Sequence, residues 1–464
     1  MVATLSYNPT DLELKTCVLY NYNGETMDIR NIMLEFNIYH SIFADATKID
    51  IALLDGNGIV EVFPIIGEET LVMEFKTPTF EKTLKYFFHI YNVSDKDKFE
   101  ARSDKYVLHG CSQELISNHR KSVRKSFVDL PISTMIKSIY NSFLKPTDEE
   151  YTRATASQIK KKKTLSIQET NDNFSVAFSD HTKPFQAIKY LSQEAQVKND
   201  EEGLGSNFYF FEKSDGYYFE TIDSMLLKKP SYDFFFTLAS NETSANQGVK
   251  IGDDQKITNY DFVEQVNVLK NLSRGMYAHN VQTIDPITKR FTTDNFSYAS
   301  DSNKVTHIEH DKKKLDYSFL LSEKSLFSSD DNSAVTYYMQ SNIGEDYNKQ
   351  PYLTGAVATD PQIRNPRKLH NFLKYNILSK AQLSNIVLSI TIPGNSDLEI
   401  GDVVNLHIPQ ASELPELAKK LNLLYDKKFL ITSLRHMFNK KNNKFYTIFE
   451  CRKDTYAKKA KKVE

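Results

Sequence analysis

The 464-residue sequence has no tryptophan, only 3 cysteines, and modest numbers of the usual loop residues, 15 glycines and 14 prolines. Cys17, Cys111 and Cys451 are far apart, and none belongs to a C-x-x-C or other close pair. Structural zinc sites draw ligands from short local pairs, so this spacing argues against a metal framework. An odd, sparse count also argues against a disulfide-stapled secreted fold, and reduced thiols buried in strands are expected. No apolar run approaches the roughly 20 residues of a membrane-spanning helix. The opening MVATLSYNPTDLELK lacks a basic stretch followed by an apolar one, so no secretory signal is expected and assembly in a cytoplasm is. Charge of one sign is missing too. The chain carries 58 basic against 60 acidic residues, which removes the concentrated basic face of a bulk nucleic-acid binder. No G-x-S-x-G, P-loop or G-x-G-x-x-G occurs.

What is present is aromatic. The 26 tyrosines and 30 phenylalanines favour strands and subunit contacts. A hydrophobic share of 40% supplies several cores, and at roughly 100–200 residues per domain the length accommodates two to four domains.

The first part of the chain is punctuated like an antiparallel sheet. Asn23-Gly24 is a two-residue hairpin signal, and Asp55-Gly56-Asn57-Gly58 marks a turn. Ile32 to Tyr39, Lys48 to Leu53 and Met73 to Lys76 have strand length. Tyr86 to Val93 and Tyr106 to Cys111 form an expected pair joined by a polar tip, SDKDKFEARSD. The period then changes. After Pro131, Ile132, Met135, Ile136, Ile139, Tyr140, Phe143 and Leu144 share one helical face. Residues 146–172, with Lys160-Lys161-Lys162-Lys163, read as a polar loop. A second helix starts at Pro184, with Phe185, Ile188, Leu191 and Ala195 inward. Asp215-Gly216 divides the aromatic runs of residues 208–223, a hairpin signal. Gln265–Leu269, Met276–Ile284 and Arg290–Tyr298 are short strand candidates, and Leu369, Phe372, Leu373 and Ile377 suggest a helix. The final module alternates at Ile386, Leu388, Ile390 and Ile392, continues through Val404, Leu406 and Ile408, and closes on a hairpin from Phe429 to Cys451.

Two stretches resemble each other. Ile66-Gly67-Glu68 before a strand matches Ile400-Gly401-Asp402 before a strand. Tyr106 to Cys111 matches Tyr446 to Cys451 in spacing, and each final strand follows a charged tip. The second stretch is longer, a difference that Leu414 to Leu424, read as a short helix, would absorb. The sequence therefore predicts an α+β, β-rich chain: two similar antiparallel β-barrel modules with α/β domains inserted between them. The expected divisions are 1–112, first barrel; 113–205, an α/β domain with two amphipathic helices; and 206–240, a hairpin joining the second barrel. Then come 241–374, an inserted polar mixed domain; 375–455, second barrel; and 456–464, a flexible basic tail. A closed trimer of such chains presents six similar modules.

Four stretches carry a family resemblance: Phe36 to Phe43, Pro64 to Glu69, Tyr106 to Leu115 running on to Phe127, and Gly401 through Phe429 to Cys451. In this order the chain resembles the central baseplate hub protein of contractile-tailed bacteriophages, related to the N-terminal half of VgrG-type secretion spikes. The resemblance implies a homotrimeric, pseudo-sixfold ring in the virion tail baseplate. Such a ring adapts the sixfold tail tube to a threefold puncturing spike and lets DNA pass in transit through its channel. The implied partners are a separate trimeric spike protein and tail-tube or tube-initiator proteins, with the tape-measure protein as a further candidate and no stable membrane insertion. A tail-associated peptidoglycan-degrading enzyme, or another tail-tube or neck component, is the alternative.

Residues able to carry chemistry are few, and no catalytic, metal or cofactor site is expected. His307-Ile308-Glu309-His310 is not H-E-x-x-H and lacks a third ligand, so solvated loop histidines are expected. Glu68-Glu69, Glu149-Glu150, Asp253-Asp254 and Asp330-Asp331 are adjacent carboxylates among polar neighbours, read as solvated surface charge. Lys160 to Lys163 reads as a solvated loop rather than a phosphate contact.

Overall fold

The computed structural model describes residues 8–56, 58, 63–100, 103–146, 163–171, 173–198, 207–236, 252–265, 267–285, 290–298, 305–309, 334–339, 375–377, 379–381, 383–409 and 427–454. The expected helix at Leu414 to Leu424 and the basic tail lie outside these residues.

The chain opens with seven strands: β1 (Glu13–Tyr20), β2 (Thr26–Asp28), β3 (Met33–Ser41), β4 (Lys48–Asp55), β5 (Thr70–Lys76), β6 (Leu84–Glu100) and β7 (Ser103–Cys111). All their pairings are antiparallel, in the order β2-β1-β5-β6-β7-β4-β3. Alternation sends Phe36, Ile38, Ile49, Ile51, Phe75, Phe88 and Leu108 to one face, where they form a core. The described part of the polar tip is not a loop. β6 and β7 run through it as paired strand, and Lys96 meets Asp104 across the ladder at 3.7 Å. Opposite charges on facing strands let a polar sequence extend a sheet into solvent.

The middle of the chain holds α1 (Gln113–Arg120), β8 (Ser126–Pro131) and α2 (Ile132–Ile139), which widens into a π-turn at Tyr140–Leu144. There follow β9 (Thr164–Ile167), β10 (Asn173–Ala177), α3 (Pro184–Glu194), β11 (Phe208–Glu212), β12 (Gly216–Thr221) and α4 (Ile222–Leu226). The apolar stripes of α2 and α3 pack on Phe208, Phe210, Tyr217 and Phe219. The β11–β12 hairpin was expected to join the second barrel. Its β12 instead pairs in parallel with β9, within the α/β domain. The period-2 alternation explains the split role: Phe208 and Phe210 face the helices, while Phe211 faces the later core.

The remaining elements are β13 (Tyr232–Phe236), β14 (Lys256–Ile257), β15 (Asn259–Glu264), α5 (Val268–Ser273), β16 (Ala278–Asp285), β17 (Arg290–Ser297), β18 (Ala334–Met339), β19 (Ile386–Pro393), β20 (Val403–His407), β21 (Lys427–Asn439) and β22 (Lys444–Lys453). β16, β17 and β18 form a separate sheet. The strand expected at Gln265–Leu269 is replaced by the start of α5. The Asn267 side chain accepts the Lys270 N–H at 3.0 Å, an N-cap that overrides the local strand preference.

β13, β20, β21, β22, β19 and β15 pair in that order. β14 returns to β13, and the Thr258 N–H between β14 and β15 donates to the Thr391 carbonyl at 2.8 Å. This order repeats the first set. In chain order β1, β3, β4, β5, β6 and β7 correspond to β13, β15, β19, β20, β21 and β22. Both sets are arranged first-fourth-fifth-sixth-third-second. Gly67 and Gly401 precede the corresponding β5 and β20 with φ of 92° and 78°, a conformation glycine adopts without strain. One strand breaks the likeness: β1 is antiparallel to β5, whereas β13 is parallel to β20. Between β15 and β19 lies the inserted segment, with its own small core around Met276, Tyr277, Phe296 and Tyr298.

Candidate functional site

The two six-strand sets meet along one ladder. β3 pairs with β21 from Glu35↔Asn439 to Ser41↔Ser433, which makes one continuous sheet of both. The far half of this seam is apolar. Phe438 and Phe445 enter the first core, where Phe36 lies 5.5 Å and 6.4 Å from their rings.

The near half is polar and enclosed. His40 shares its strand face with Phe36 and Ile38, and His436 shares its face with Leu434 and Phe438, so both imidazoles point inward. Their rings are 6.2 Å apart, edge to face. His40 Nε2 pairs with the Tyr86 hydroxyl at 3.1 Å and its Nδ1 with Thr47 Oγ1 at 3.2 Å; His436 Nδ1 pairs with Thr447 Oγ1 at 3.3 Å. Burial, followed by the charge of His40, pushes His436 down to about 3, and burial lowers His40 as well. Both are neutral at ordinary pH.

Carboxylates extend the polar line to the α/β domain. Glu212, at the end of β11, accepts the Thr47 N–H at 2.8 Å, the Ser112 hydroxyl at 2.5 Å and the Tyr217 hydroxyl at 3.2 Å. Lys163 lies between Glu212 and Glu114, at 2.6 Å and 2.5 Å. Burial works to raise Glu212, yet Lys163 and these donors hold it below the usual carboxylate range. Glu114 goes the other way. Burial raises it, and its Oε1 has no hydrogen-bond partner among the described residues. On the other side of the seam, Glu399 accepts Lys82 Nζ at 2.6 Å and the Ser214 hydroxyl. Thr77 and Ser396 share a hydroxyl contact at 2.8 Å. The network therefore ties the first strand set, the second and the α/β domain at one junction. Its buried carboxylates share the cations Lys163 and Lys82 across element boundaries, which suits holding three bodies in register.

Several sequence expectations change here. Lys163 is not in a solvated loop but at the centre of a buried ion cluster, while Lys160 to Lys162 lie outside the described residues. Glu69 is not surface charge; it is fully buried and accepts the Ile66 and Gly67 N–H groups at 2.8 and 2.9 Å. Asp253, by contrast, is exposed surface charge that pairs with Lys256 at 2.6 Å, and Glu149-Glu150 and Asp330-Asp331 lie outside the described residues. His307 is not solvated. It bonds Asp454 at 2.7 Å, and the neighbouring Glu309 pairs with Lys453, so this segment docks on the end of β22; His310 lies outside. All three cysteines are buried thiols. Among the described residues no group of three or more His, Cys, Asp or Glu is placed to hold a metal, and no helix is long and apolar enough to cross a membrane. The junction residues carried a signal in the sequence. Glu212 has the parity of Phe208 and Phe210, as His40 has that of Ile38, and a polar residue on an apolar face is a buried one.

No family model matches the chain, and no curated protein sequence does. Solved structures do. A tail protein from Neisseria meningitidis MC58 superposes with a TM-score of 0.51 at 11% identity, covering 96% of this chain and 99% of its own. The 43 kDa tail protein of prophage MuSo2 from Shewanella oneidensis gives 0.53 at 7% identity, covering 94% and 97%. A weaker likeness, 0.43 at 8% identity, covers 95% of this chain and 76% of a type VI secretion system component of E. coli. The chain has the fold of phage tail proteins along essentially its whole described course.

Proposed function

We propose that this chain is the structural hub of a contractile-tail baseplate, working as a homotrimer with a pseudo-sixfold collar. The observation that carries the proposal is the repeated strand order: six strands of the first set and six of the second are arranged alike within one chain. Each set forms a barrel in this reading, and the pairing of β14 with β13 supports closure of the second. The α/β domain and the segment between β15 and β19 brace the barrels from outside.

Mechanical coupling supports the reading. Two modules joined by a flexible linker could not hold sixfold spacing under load. Here the β3–β21 ladder and the shared Phe438 and Phe445 hold them as one body, and Glu212, paired with Lys163, fastens the α/β domain to the first through the Thr47 N–H. Three such bodies offer six similar faces to a sixfold tube and a threefold end to a spike. The proposed partners are tube or tube-initiator proteins, the tape-measure protein and a trimeric spike protein, in a virion assembled in the host cytoplasm. DNA is a passenger through the central channel. The peptidoglycan-hydrolase alternative loses support because Glu69 is committed to backbone N–H groups and Asp253 to Lys256.

Native mass measurement on the full chain, alone and with its spike, tests the proposal. A trimer in either state is expected, and a monomer or dimer in both overturns it.

A further inference from the structure

Away from the junction, on the outer face of the first sheet, three side chains form a relay. Asp50 on β4 lies opposite His109 on β7, and Ser94 on β6 follows Asn92, which also opposes His109. His109 Nδ1 is 2.6 Å from Asp50 Oδ1, and its Nε2 is 2.8 Å from Ser94 Oγ. A carboxylate at Nδ1 keeps the proton on that nitrogen. The Nε2 lone pair is then left facing the serine hydroxyl, the arrangement in which an imidazole removes a serine proton.

The surroundings fit the same chemistry. The ladder slips between Ser94 and Asp97, so Asp95 and Lys96 face no residue in the register of β7. Asp95 has a φ of 53°, left-handed for a non-glycine residue. Such strain concentrates at working sites. The N–H of the residue after a nucleophilic serine is a common donor to a developing oxyanion, and here that residue is Asp95. The Tyr91 ring flanks His109 at 6.3 Å between ring centres. One contact opposes the relay: Ser94 Oγ also reaches Asp95 Oδ2 at 2.8 Å. A single hydroxyl proton cannot serve both acceptors, so the exposed Asp95 carboxylate acts as a brake. Unlike the junction, this relay can be reached from solvent, since the His109 side chain is 23% and Asp50 34% exposed.

We propose that Ser94 is an activated nucleophile, with His109 as its base and Asp50 as a positioning residue, and that it hydrolyses carboxylic esters displayed on a large, flat surface. The flat surface follows from the setting, an open sheet face on which the exposed Tyr91 ring flanks His109. Ser94 Oγ bonds to the acyl carbon as its proton passes to His109 Nε2. The bond to the leaving alkoxide breaks as that proton is handed on to the departing alcohol. Water then attacks the acyl-serine by the same route and releases the carboxylate. This activity goes beyond the structural role and stands independently of it.

A fluorophosphonate probe on the full chain tests the proposal, because Oγ displaces fluoride while the proton goes to His109. Mapping by mass spectrometry should find the adduct on Ser94. S94A should abolish it, and H109Q should slow it about a hundredfold. D50N should also slow it and displace its pH profile, while D95A should speed it several-fold. Should H109Q prove poorly folded, Ser94→Cys supplies a second measure: its alkylation should show an inflection below the ordinary thiol range. Absence of an adduct at Ser94 in both the native chain and D95A overturns the proposal. So does an adduct rate unchanged by H109Q, or an ordinary thiol profile for Ser94→Cys.

Discussion

Replacing Lys163 by methionine keeps most of the side-chain volume and removes the one cation between Glu114 and Glu212. The side chains of Glu114 and Glu212 are 1% and 5% exposed, and the lysine is within 2.6 Å of both. Breaking a buried ion pair by deleting one partner costs about 3–5 kcal/mol, because the remaining charge has no solvent to return to. Two carboxylates are stranded here, so the loss at pH 7 should reach at least the middle of that range. It should also depend on pH. Without Lys163 the folded-state carboxyls titrate above their unfolded value of about 4.3. The folded variant then binds more protons than the unfolded chain, and its stability falls as pH rises. The deficit should therefore deepen from pH 5 to pH 7. Several cores make a single unfolding transition unsafe to assume, so hydrogen exchange of Gln113–Arg120 and Thr164–Ile167 during a urea titration is the suitable assay. Glu114→Gln alone should be mild, because Glu114 is already raised by burial and its Oε1 lacks a partner among the described residues. Glu212→Gln should cost more, since Glu212 also accepts from Ser112, Thr47 and Tyr217. A Lys163→Met loss under about 1 kcal/mol, with no pH dependence, would refute the view that this cluster clamps the junction.

Three further outcomes follow from the same geometry. His436 is pushed from 6.5 down to about 3 in the fold. Below about pH 6.5 the unfolded chain therefore binds the extra proton, and stability should fall by up to about 1.4 kcal/mol per pH unit toward pH 3, a slope that His436→Gln flattens in melting curves. Gly394→Ala would place a Cβ 1.9 Å from the Phe445 ring, so a loss of about 1–3 kcal/mol and a lower melting temperature are expected. Cys17 and Cys111 are buried and pushed up to about 12, and Cys451 is raised by burial too. A thiol reagent should find none of the three cysteines in the native chain and all three in denaturant.

Much of the architecture was legible because local periodicity is a local property. Ile132, Met135, Ile136 and Ile139 fall on one helical face whatever they pack against, and Asp215-Gly216 turns whatever the hairpin joins. The helix at Gln113–Arg120 was not legible, because its buried side carries Glu114, Ser117 and Asn118 rather than an apolar stripe. The strand through the tip after Val93 was hidden for a similar reason. Its charges look like loop until a facing strand supplies the opposite ones.

The sequence by itself determined the strand-rich α+β class, the two helices, and the Tyr-to-Cys echo between Tyr106–Cys111 and Tyr446–Cys451. Each rests on residues close together in the chain. Only the tertiary structure decided that β3 joins β21, that β11 and β12 serve the α/β domain, and that Lys163 is enclosed by Glu114 and Glu212. Those partners are tens to hundreds of residues apart. A lysine's neighbours, and hence whether its charge belongs to solvent or to the interior, are settled by chain topology, which periodicity does not encode.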